Sequence, residues 1–159
     1  MAIEAPISKF KKTNLKIYIG ACIIFAAIFA YDGYLSKYPW SLRQGFYNKH
    51  VKDGKADDTM MFQRIVPFFL LALAGCLACY LGAVKNKKIV ADEENLIIDG
   101  KTEIPYRSIE KVDKTRFDLK GFFLVTYKDA INTERQLKLS NRRYDNIKAV
   151  LEKIVDKIS

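Results

Sequence analysis

Apolar residues form two long runs in the first half of this chain. The first covers residues 15–31, and the second covers residues 65–84 without a single charged side chain. A bilayer core about 30 Å thick is crossed by roughly 20 apolar helical residues, and a shorter run compensates when its flanking side chains snorkel towards water. The pattern therefore predicts two transmembrane helices, at residues 15–31 and 65–84.

The two predicted spans divide the rest of the chain into three parts. These are a basic N-terminus at residues 1–14, an aromatic-rich connector at 32–64 and a C-terminal domain at 85–159. An apolar run that follows a basic head is also typical of a cleavable signal peptide. The first run ends in Phe29-Ala30-Tyr31-Asp32 without a small-x-small cleavage site, which favours a retained membrane anchor.

Lysines flank the outer ends of both predicted spans. They are Lys9, Lys11, Lys12 and Lys16 before the first span, and Lys85, Lys87 and Lys88 after the second. Because positive residues concentrate on the cytoplasmic side of a membrane, this distribution predicts that both termini are cytoplasmic. The connector is then extracytoplasmic, although it carries cations of its own, and the two helices form an antiparallel hairpin.

Small residues recur every four positions in each predicted span. They are Cys22, Ala26 and Ala30 in the first span, and Ala74, Ala78 and Gly82 in the second. Ridges of small residues let helix backbones approach closely in lipid, so these six residues are the expected helix-packing positions. The alternative is that Ala and Gly are simply common in membrane helices.

Aromatic residues are concentrated in the connector. The connector and the tyrosine just before it contribute Tyr31, Tyr34, Tyr38, Trp40, Phe46 and Tyr47. Tyr and Trp are enriched at the headgroup level of membranes, and a short interfacial helix is expected near Trp40 to His50. His50 is the only histidine, and a metal site or nucleophilic catalysis would need convergent partners that are absent nearby in the sequence.

After Lys88 the pattern changes to short alternating pieces. They predict an antiparallel meander with strands at residues 89–91, 96–98, 102–105, 109–115, 121–127 and 135–139. Asp99-Gly100 predicts a tight turn because both residues tolerate positive φ. The apolar residues from Tyr144 to Ile158 recur at three and four positions, which predicts an amphipathic helix that starts at Ser140 or Asn141. Its full apolar stripe and mixed polar face favour a helix that caps the sheet, and the alternative is a helix that lies on the membrane.

The runs Leu96–Gly100, Glu103–Val112 and Gly121–Tyr127 resemble bacterial pleckstrin-homology-like (PH-like) membrane proteins. The resemblance covers residues 85–159, with the preceding hairpin as architecture, and implies an open barrel plugged by the terminal helix. No phosphoinositide-binding motif is present, so no headgroup specificity follows from it. The expected fold is an α+β membrane protein, in which a two-helix transmembrane hairpin precedes a small antiparallel PH-like domain with a C-terminal helical cap.

The chain is basic, with a formal net charge of +9 from 27 Lys and Arg against 18 Asp and Glu. Because the chain has two predicted spans, an anionic lipid surface is a better partner for this charge than nucleic acid. Acidic residues also interleave the cations of the C-terminal domain, whereas nucleic acid prefers an unbroken basic stripe. Lys9, Lys11, Lys12, Lys85, Lys87 and Lys88 are the candidate membrane-surface cations. Their alternative role is an ordinary solvated surface.

No nucleophile, general base or cofactor loop is evident in the sequence. We therefore expect no enzymatic activity, no cofactor, no metal and no small-molecule substrate. The expected function is that of a non-catalytic scaffold in the bacterial cytoplasmic membrane, whose cytosolic domain binds other membrane or cytosolic proteins. Two alternatives are an accessory subunit of a larger membrane complex and an anionic-lipid-binding module.

Overall fold

The computed structural model describes residues 2–158, which separate into two compact units. The β unit contains residues 2–13 and 82–158, and the helical unit contains residues 14–81. The fold is α+β, because it combines two long apolar helices with small antiparallel sheets.

The two long helices are α1, Lys9–Ala30, and α3, Asp58–Val84. Both are long and apolar enough to cross a membrane. The segment between them contains a π-helical turn at Tyr31–Leu35, the helix α2 at Gln44–His50, and the short strands β2 (Val51–Lys52) and β3 (Lys55–Ala56). Helix α2 lies within the range where a short connector helix was expected.

Helix α3 begins earlier than the apolar run does. The Asp57 carboxylate accepts the backbone N–H of Met60 at 2.9 Å, which is the hydrogen bond of an N-terminal cap. Residues 58–64, which precede the uncharged run, therefore join the helix. Pro67 lies inside α3 and not in its first turn, so the carbonyl of Gln63 has no backbone N–H partner from residue 67.

The β unit contains two antiparallel sheets. The first has four strands in the order β1-β4-β5-β6, with β1 at Ile3–Pro6, β4 at Lys88–Ala91, β5 at Asn95–Ile98 and β6 at Thr102–Pro105. The second has three strands in the order β7-β8-β9, with β7 at Ile109–Asp113, β8 at Phe122–Lys128 and β9 at Glu134–Ser140.

The expected single meander is wrong in two respects. A 3₁₀ turn at Tyr106–Ser108 separates β6 from β7, so the strands form two sheets. The first sheet also recruits β1 from the N-terminus, which was expected to be only a basic head. No sheet within the described residues closes into a barrel. The tight turn at Asp99-Gly100 is confirmed, with φ values of 53° and 67°.

The C-terminal helix α5 covers Ile147–Ile158, so the expected start at Ser140 or Asn141 is wrong. Ser140 is the last residue of β9, and Tyr144 forms an isolated β-bridge with Ile7. Asn146 then has φ of 58°, a left-handed conformation that a helix cannot continue through. Helix α5 therefore begins at Ile147, beyond the residues that make these contacts. A short helix, α4, lies between β7 and β8 at Phe117–Lys120.

The hydrophobic core of the β unit is built from both ends of the chain. Ala5 and Ile7 contribute from the N-terminus, and α5 contributes its apolar face. The sheets supply Ile89, Ala91, Leu96, Ile104, Phe123, Val125 and Leu139. Helix α5 packs against β1, β4 and the 3₁₀ turn, so its apolar stripe caps the four-stranded sheet.

Candidate interaction surfaces

The lysines that were expected to face the membrane surface lie at one edge of the β unit. Lys9, Lys11 and Lys12 are in the first turns of α1, and Lys85, Lys87 and Lys88 follow α3. The two sets meet there because β1 pairs with β4, with Pro6 opposite Lys88. We call these six residues the flanking lysines.

Two of the flanking lysines form ion pairs. The Lys88 ammonium contacts the Glu4 carboxylate, and the Lys87 ammonium lies 3.7 Å from an Asp99 carboxylate oxygen. Within residues 2–158, Lys9, Lys12 and Lys85 have no carboxylate partner. These three lysines therefore differ from Lys87 and Lys88, whose charges are paired within the β unit.

Asp99 is the centre of a polar cluster beside this edge. Its side chain is only 11% exposed, and it accepts a hydrogen bond of 2.9 Å from the Tyr144 hydroxyl. The Arg143 guanidinium lies 3.4 Å from the other carboxylate oxygen. Burial and the hydrogen bond to Asp99 raise the pKa of the Tyr144 phenol to about 12. The cluster connects the β5–β6 turn to the loop that precedes α5.

The start of α1 is fixed within the β unit by backbone hydrogen bonds. The N–H of Ile7 donates to the carbonyl of Lys87 at 3.1 Å, and the N–H of Ser8 donates to the carbonyl of Arg143 at 2.9 Å. The Asp145 carboxylate accepts the N–H of Lys9 at 3.0 Å and so supplies a cap to α1. The beginning of α1 and the end of α3 are therefore held at the same edge.

At the other end of α1, a group of polar side chains folds the connector back on itself. We call Tyr31, Asp32, Ser36, Ser41 and Arg43 the connector cluster. The Arg43 guanidinium donates two hydrogen bonds to the Asp32 carboxylate, of 3.0 and 2.9 Å, and the Asp32 side chain is 10% exposed. The bonds to Asp32 raise the pKa of Arg43. Asp32 belongs to the π-helical turn and Arg43 lies beyond it, so this bidentate pair stabilises the turn.

Two serines complete the connector cluster. The Ser36 hydroxyl donates to the backbone carbonyl of Asp32, and the Ser41 hydroxyl donates to the Tyr31 hydroxyl at 3.1 Å. Both serines are buried. The local sequence pattern does not indicate this cluster, because Asp32 and Arg43 are eleven positions apart and are brought together by a turn of the connector.

Gly33 brings the connector into direct contact with α3. A Cβ atom at this position would lie 2.8 Å from the carbonyl oxygen of Gln63, which is the carbonyl that Pro67 leaves without a helical partner. The Arg64 side chain donates to the carbonyl of Gly33 at 3.1 Å, and the Tyr34 hydroxyl donates to the carbonyl of Arg64 at 3.0 Å. Only glycine allows this approach without displacement of the backbone.

The less exposed positions of the long helices alternate at three and four residues. In α3 they include Met60, Gln63, Pro67, Leu70, Ala74 and Leu77, and in α1 they include Leu15, Ile19, Cys22, Ala26 and Phe29. Alternate steps of three and four residues are typical of right-handed α-helices that pack with a left-handed supercoil. The rings of Phe29 and Phe62 also meet edge to face at 6.0 Å. We call these less exposed positions the seam, which contains side chains of mixed size.

The six expected helix-packing residues divide between the seam and the outer surface. Ala26 and Ala74 are buried, and Cys22 and Ala30 are partly buried. Ala78 and Gly82 are exposed. A step of four residues rotates about 40° around a helix of 3.6 residues per turn, so the second and third residues of the α3 ridge leave the seam.

The three-stranded sheet ends in a free edge. Strand β9 pairs only with β8, and its outer side has no strand neighbour within the described residues. With β8 it is the longest of the strands, and its outward side chains Gln136 and Lys138 are exposed. An unpaired strand of this length can accept an extended segment of another protein.

An open groove of about 770 Å³ runs along α5 in the β unit. Phe117, Leu151 and Val155 provide its apolar lining, while charged residues of both signs surround them. Leu119, in α4, is 89% exposed.

His50 has a partner that the sequence analysis did not identify. Its Nδ1 lies 2.7 Å from a carboxylate oxygen of Asp57, because the β2–β3 hairpin returns the chain. The Met60 N–H and the hydrogen bond to His50 lower the pKa of Asp57. Within residues 2–158, no group of three or more His, Cys, Asp or Glu side chains is placed to hold a metal ion.

The chain matches no protein-family model. Comparison with curated proteins and with solved structures likewise finds no significant match. The function must therefore be argued from the surfaces described above.

Proposed function

We propose that this protein is a non-catalytic integral membrane scaffold, with a transmembrane hairpin formed by α1 and α3. The β unit is its cytosolic interaction domain. The pairing of β1 with β4 is the observation that carries the proposal. It places Pro6, shortly before α1, opposite Lys88, shortly after α3. If both helices cross a bilayer, they must then enter and leave it on the same side.

The exposure of the long helices supports membrane insertion. Only 6% of the apolar window of α1 and 11% of that of α3 are buried, whereas a core helix of a soluble protein would be mostly buried. The position of β1 argues against a cleaved signal peptide. Cleavage after α1 would remove β1 and Ile7 from the core of the β unit.

Charge supports a cytoplasmic location for both termini. The flanking lysines lie at the edge from which α1 starts and α3 ends, in accordance with the positive-inside bias. The resemblance of the runs Leu96–Gly100, Glu103–Val112 and Gly121–Tyr127 to bacterial PH-like membrane proteins is the basis for the kind of cell and membrane. We therefore assign the protein to the bacterial cytoplasmic membrane as part of the same proposal.

Cysteine labelling from outside intact cells tests the topology. In a background where Cys22, Cys76 and Cys79 are replaced by alanine, we introduce Lys55→Cys in the β2–β3 hairpin of the connector or Leu119→Cys in the β unit. Both side chains are exposed in the structure. An impermeant maleimide should label only the first variant in intact cells and both after lysis. Labelling of both variants, or of Leu119→Cys alone, contradicts the proposal.

The free edge of β9 is the proposed partner-binding surface, because strand addition uses unpaired backbone groups. A photoreactive residue at Gln136 should give one discrete cross-linked adduct in cells, and the cross-link should map to an extended segment of the partner. The same residue at Lys101, which is exposed on the β5–β6 turn, is the matched control. Equal adducts at both positions, or none at Gln136, would exclude this edge.

A second candidate function is that of an accessory subunit in a larger membrane complex. The exposed small residues Gly75, Ala78 and Gly82 of α3 favour it, because they could admit a helix of another protein. Gly75→Leu should then abolish stoichiometric co-purification in mild detergent, while Gly20→Leu in α1 is the control. A Cβ at either glycine meets nothing within 4 Å, so both positions have room for the start of a side chain. Purification as a lone monomer would contradict this candidate.

A further inference from the structure

The connector displays apolar and aromatic side chains at its turn. We call Tyr34, Leu35, Tyr38, Trp40 and Leu42 the connector tip. All five are exposed, with Trp40 at 65% and Leu42 at 96%. Tyr38 and Trp40 stack with ring centroids 5.5 Å apart and planes 9° from parallel, and the Lys37 ammonium lies 5.0 Å from the Tyr38 ring. The tip is therefore an ordered apolar patch with a cation at its border.

The connector cluster holds this patch in place. The bidentate pair of Asp32 and Arg43 brackets the tip, since one residue precedes it and the other follows it. The Ser41 hydroxyl also accepts the N–H of Arg43 at 3.2 Å. The polar groups of the segment are thus bound to one another, and the apolar groups are left pointing outwards.

Two hydrogen bonds fix the position of the connector tip along the axis of α3. Tyr34 donates to the carbonyl of Arg64, and Arg64 donates to the carbonyl of Gly33. Arg64 is the last charged residue before the uncharged run at 65–84. The tip therefore begins at the level where α3 becomes wholly apolar, which is also where the apolar run of α1 ends.

We propose that the connector tip inserts into the headgroup region of the leaflet at the C-terminal end of α1. This inference rests on the proposed transmembrane hairpin. Tyr and Trp are the residues that favour this layer, because their rings are apolar and their polar atoms remain hydrated. Lys37 can extend its ammonium to the lipid phosphates. The occupant of the patch is thus a lipid interface and not a second copy of the chain or a soluble partner.

Trp40 is the only tryptophan in the chain, so it reports on the tip directly. The full-length protein is reconstituted into phosphatidylcholine vesicles that carry bromine near the headgroups, or deep in the acyl chains, or not at all. Because brominated lipid quenches indole on contact, Trp40 should lose more fluorescence with shallow than with deep bromine. Its emission should also be blue-shifted from that of an indole in water.

A second variant separates the tip from the hairpin. Trp40→Phe combined with Phe25→Trp moves the single indole to the middle of α1, at a side chain that is 54% exposed. Deep bromine should quench this indole most strongly. If it does so while Trp40 is not quenched by shallow bromine, the inference about the tip is wrong and the hairpin is retained. If neither indole is quenched, the transmembrane hairpin itself is refuted.

A second copy of the chain would give a different result. Emission of Trp40 would then be blue-shifted but insensitive to bromine, and the shift would diminish as the protein is diluted in lipid. That outcome overturns the inference. Selective shallow quenching at all protein-to-lipid ratios supports it.

Discussion

At the scale of single residues, Gly33 and Pro67 act together. Pro67 deprives the Gln63 carbonyl of its helical partner, and the absence of a side chain at Gly33 lets the connector backbone lie against that carbonyl. Neither residue is informative alone in the sequence, because the contact joins positions that only the hairpin brings together. Their combination fixes the place where the connector meets α3.

Gly33→Ala should destabilise the helical unit by about 1–3 kcal/mol, because the added methyl group meets backbone atoms that cannot rotate away. The matched control is Gly45→Ala in α2, where the added Cβ meets nothing within 4 Å. Alanine is the better helix former by roughly 0.5–1 kcal/mol, so the control should be neutral or stabilising. Denaturant unfolding of the full chain in mild detergent measures both. Equal stability of the two variants would contradict the contact.

Tyr144 should make the β unit sensitive to alkaline pH. Its pKa in the folded protein is about 12, above the usual value of 10.0. The contribution of the Tyr144 phenol to the stability of the folded state is complete below pH 10, where both the folded and the unfolded chain keep the phenol proton. It is lost as pH rises from 10 to 12, because the unfolded chain releases the proton first. The stability of the wild-type protein should therefore fall across this interval.

Tyr144→Phe provides the measurement. The difference between the phenolate absorbance titrations of wild type and variant isolates one tyrosine among nine. Its midpoint should lie near pH 12 for as long as the protein remains folded. A midpoint near pH 10 would mean that the hydroxyl is neither buried nor bound to Asp99.

At the scale of elements, the sequence predicts those structures whose pattern is local. The apolar runs correctly indicate α1 and α3, and β4, β5, β6 and β8 lie close to their expected positions. The connector cluster could not be predicted, because its bonds depend on the return of the chain through Ser36 and Ser41. The start of α5 was missed for a similar reason, since the bridge between Tyr144 and Ile7 is a contact with the other end of the chain.

Strand β1 is the element that the local sequence pattern indicates least clearly. Its four residues pair with β4, which comes after both long helices in the sequence. Ala5 and the next buried residue, Ile7, are 0% and 1% exposed. A short strand beside a basic helix start has no alternation long enough to be recognised.

Ile7→Ala should therefore destabilise the β unit by about 2–5 kcal/mol, the usual cost when a buried isoleucine is truncated. The same change at Ile131, which is 75% exposed, should alter stability by less than about 0.5 kcal/mol. Circular dichroism of the strands during denaturation compares the two. If Ile7→Ala were as stable as Ile131→Ala, the N-terminus would not belong to the core.

At the scale of the whole molecule, the β unit is assembled from two segments that the helical unit separates. Pro6 and Lys88 lie opposite each other in adjacent strands, so a few flexible residues are enough to replace everything between them. The β unit can therefore be tested as a single continuous chain without the apolar helices.

A fusion of residues 2–8 to residues 85–158 through a short Gly-Ser linker should fold and remain monomeric in water. Residues 85–158 alone should not, because β4 would lose its outer partner and the core would lose Ala5 and Ile7. Dispersion of amide proton signals in NMR spectra distinguishes the two polypeptides. A well-dispersed spectrum from residues 85–158 alone would show that β1 is dispensable.

The hydrogen bond between the Lys9 amide and the Asp145 carboxylate has a consequence for biosynthesis. The two residues are 136 positions apart, so at 5–20 residues per second the ribosome makes the acceptor roughly 7 to 27 s after the donor. During that delay the N-terminal segment lacks its partners in the β unit. If α1 and α3 form the proposed transmembrane hairpin, both helices are inserted in this interval. A chain in which only one helix had been inserted would hold Lys9 and Asp145 on opposite sides of the membrane, and this hydrogen bond could not form.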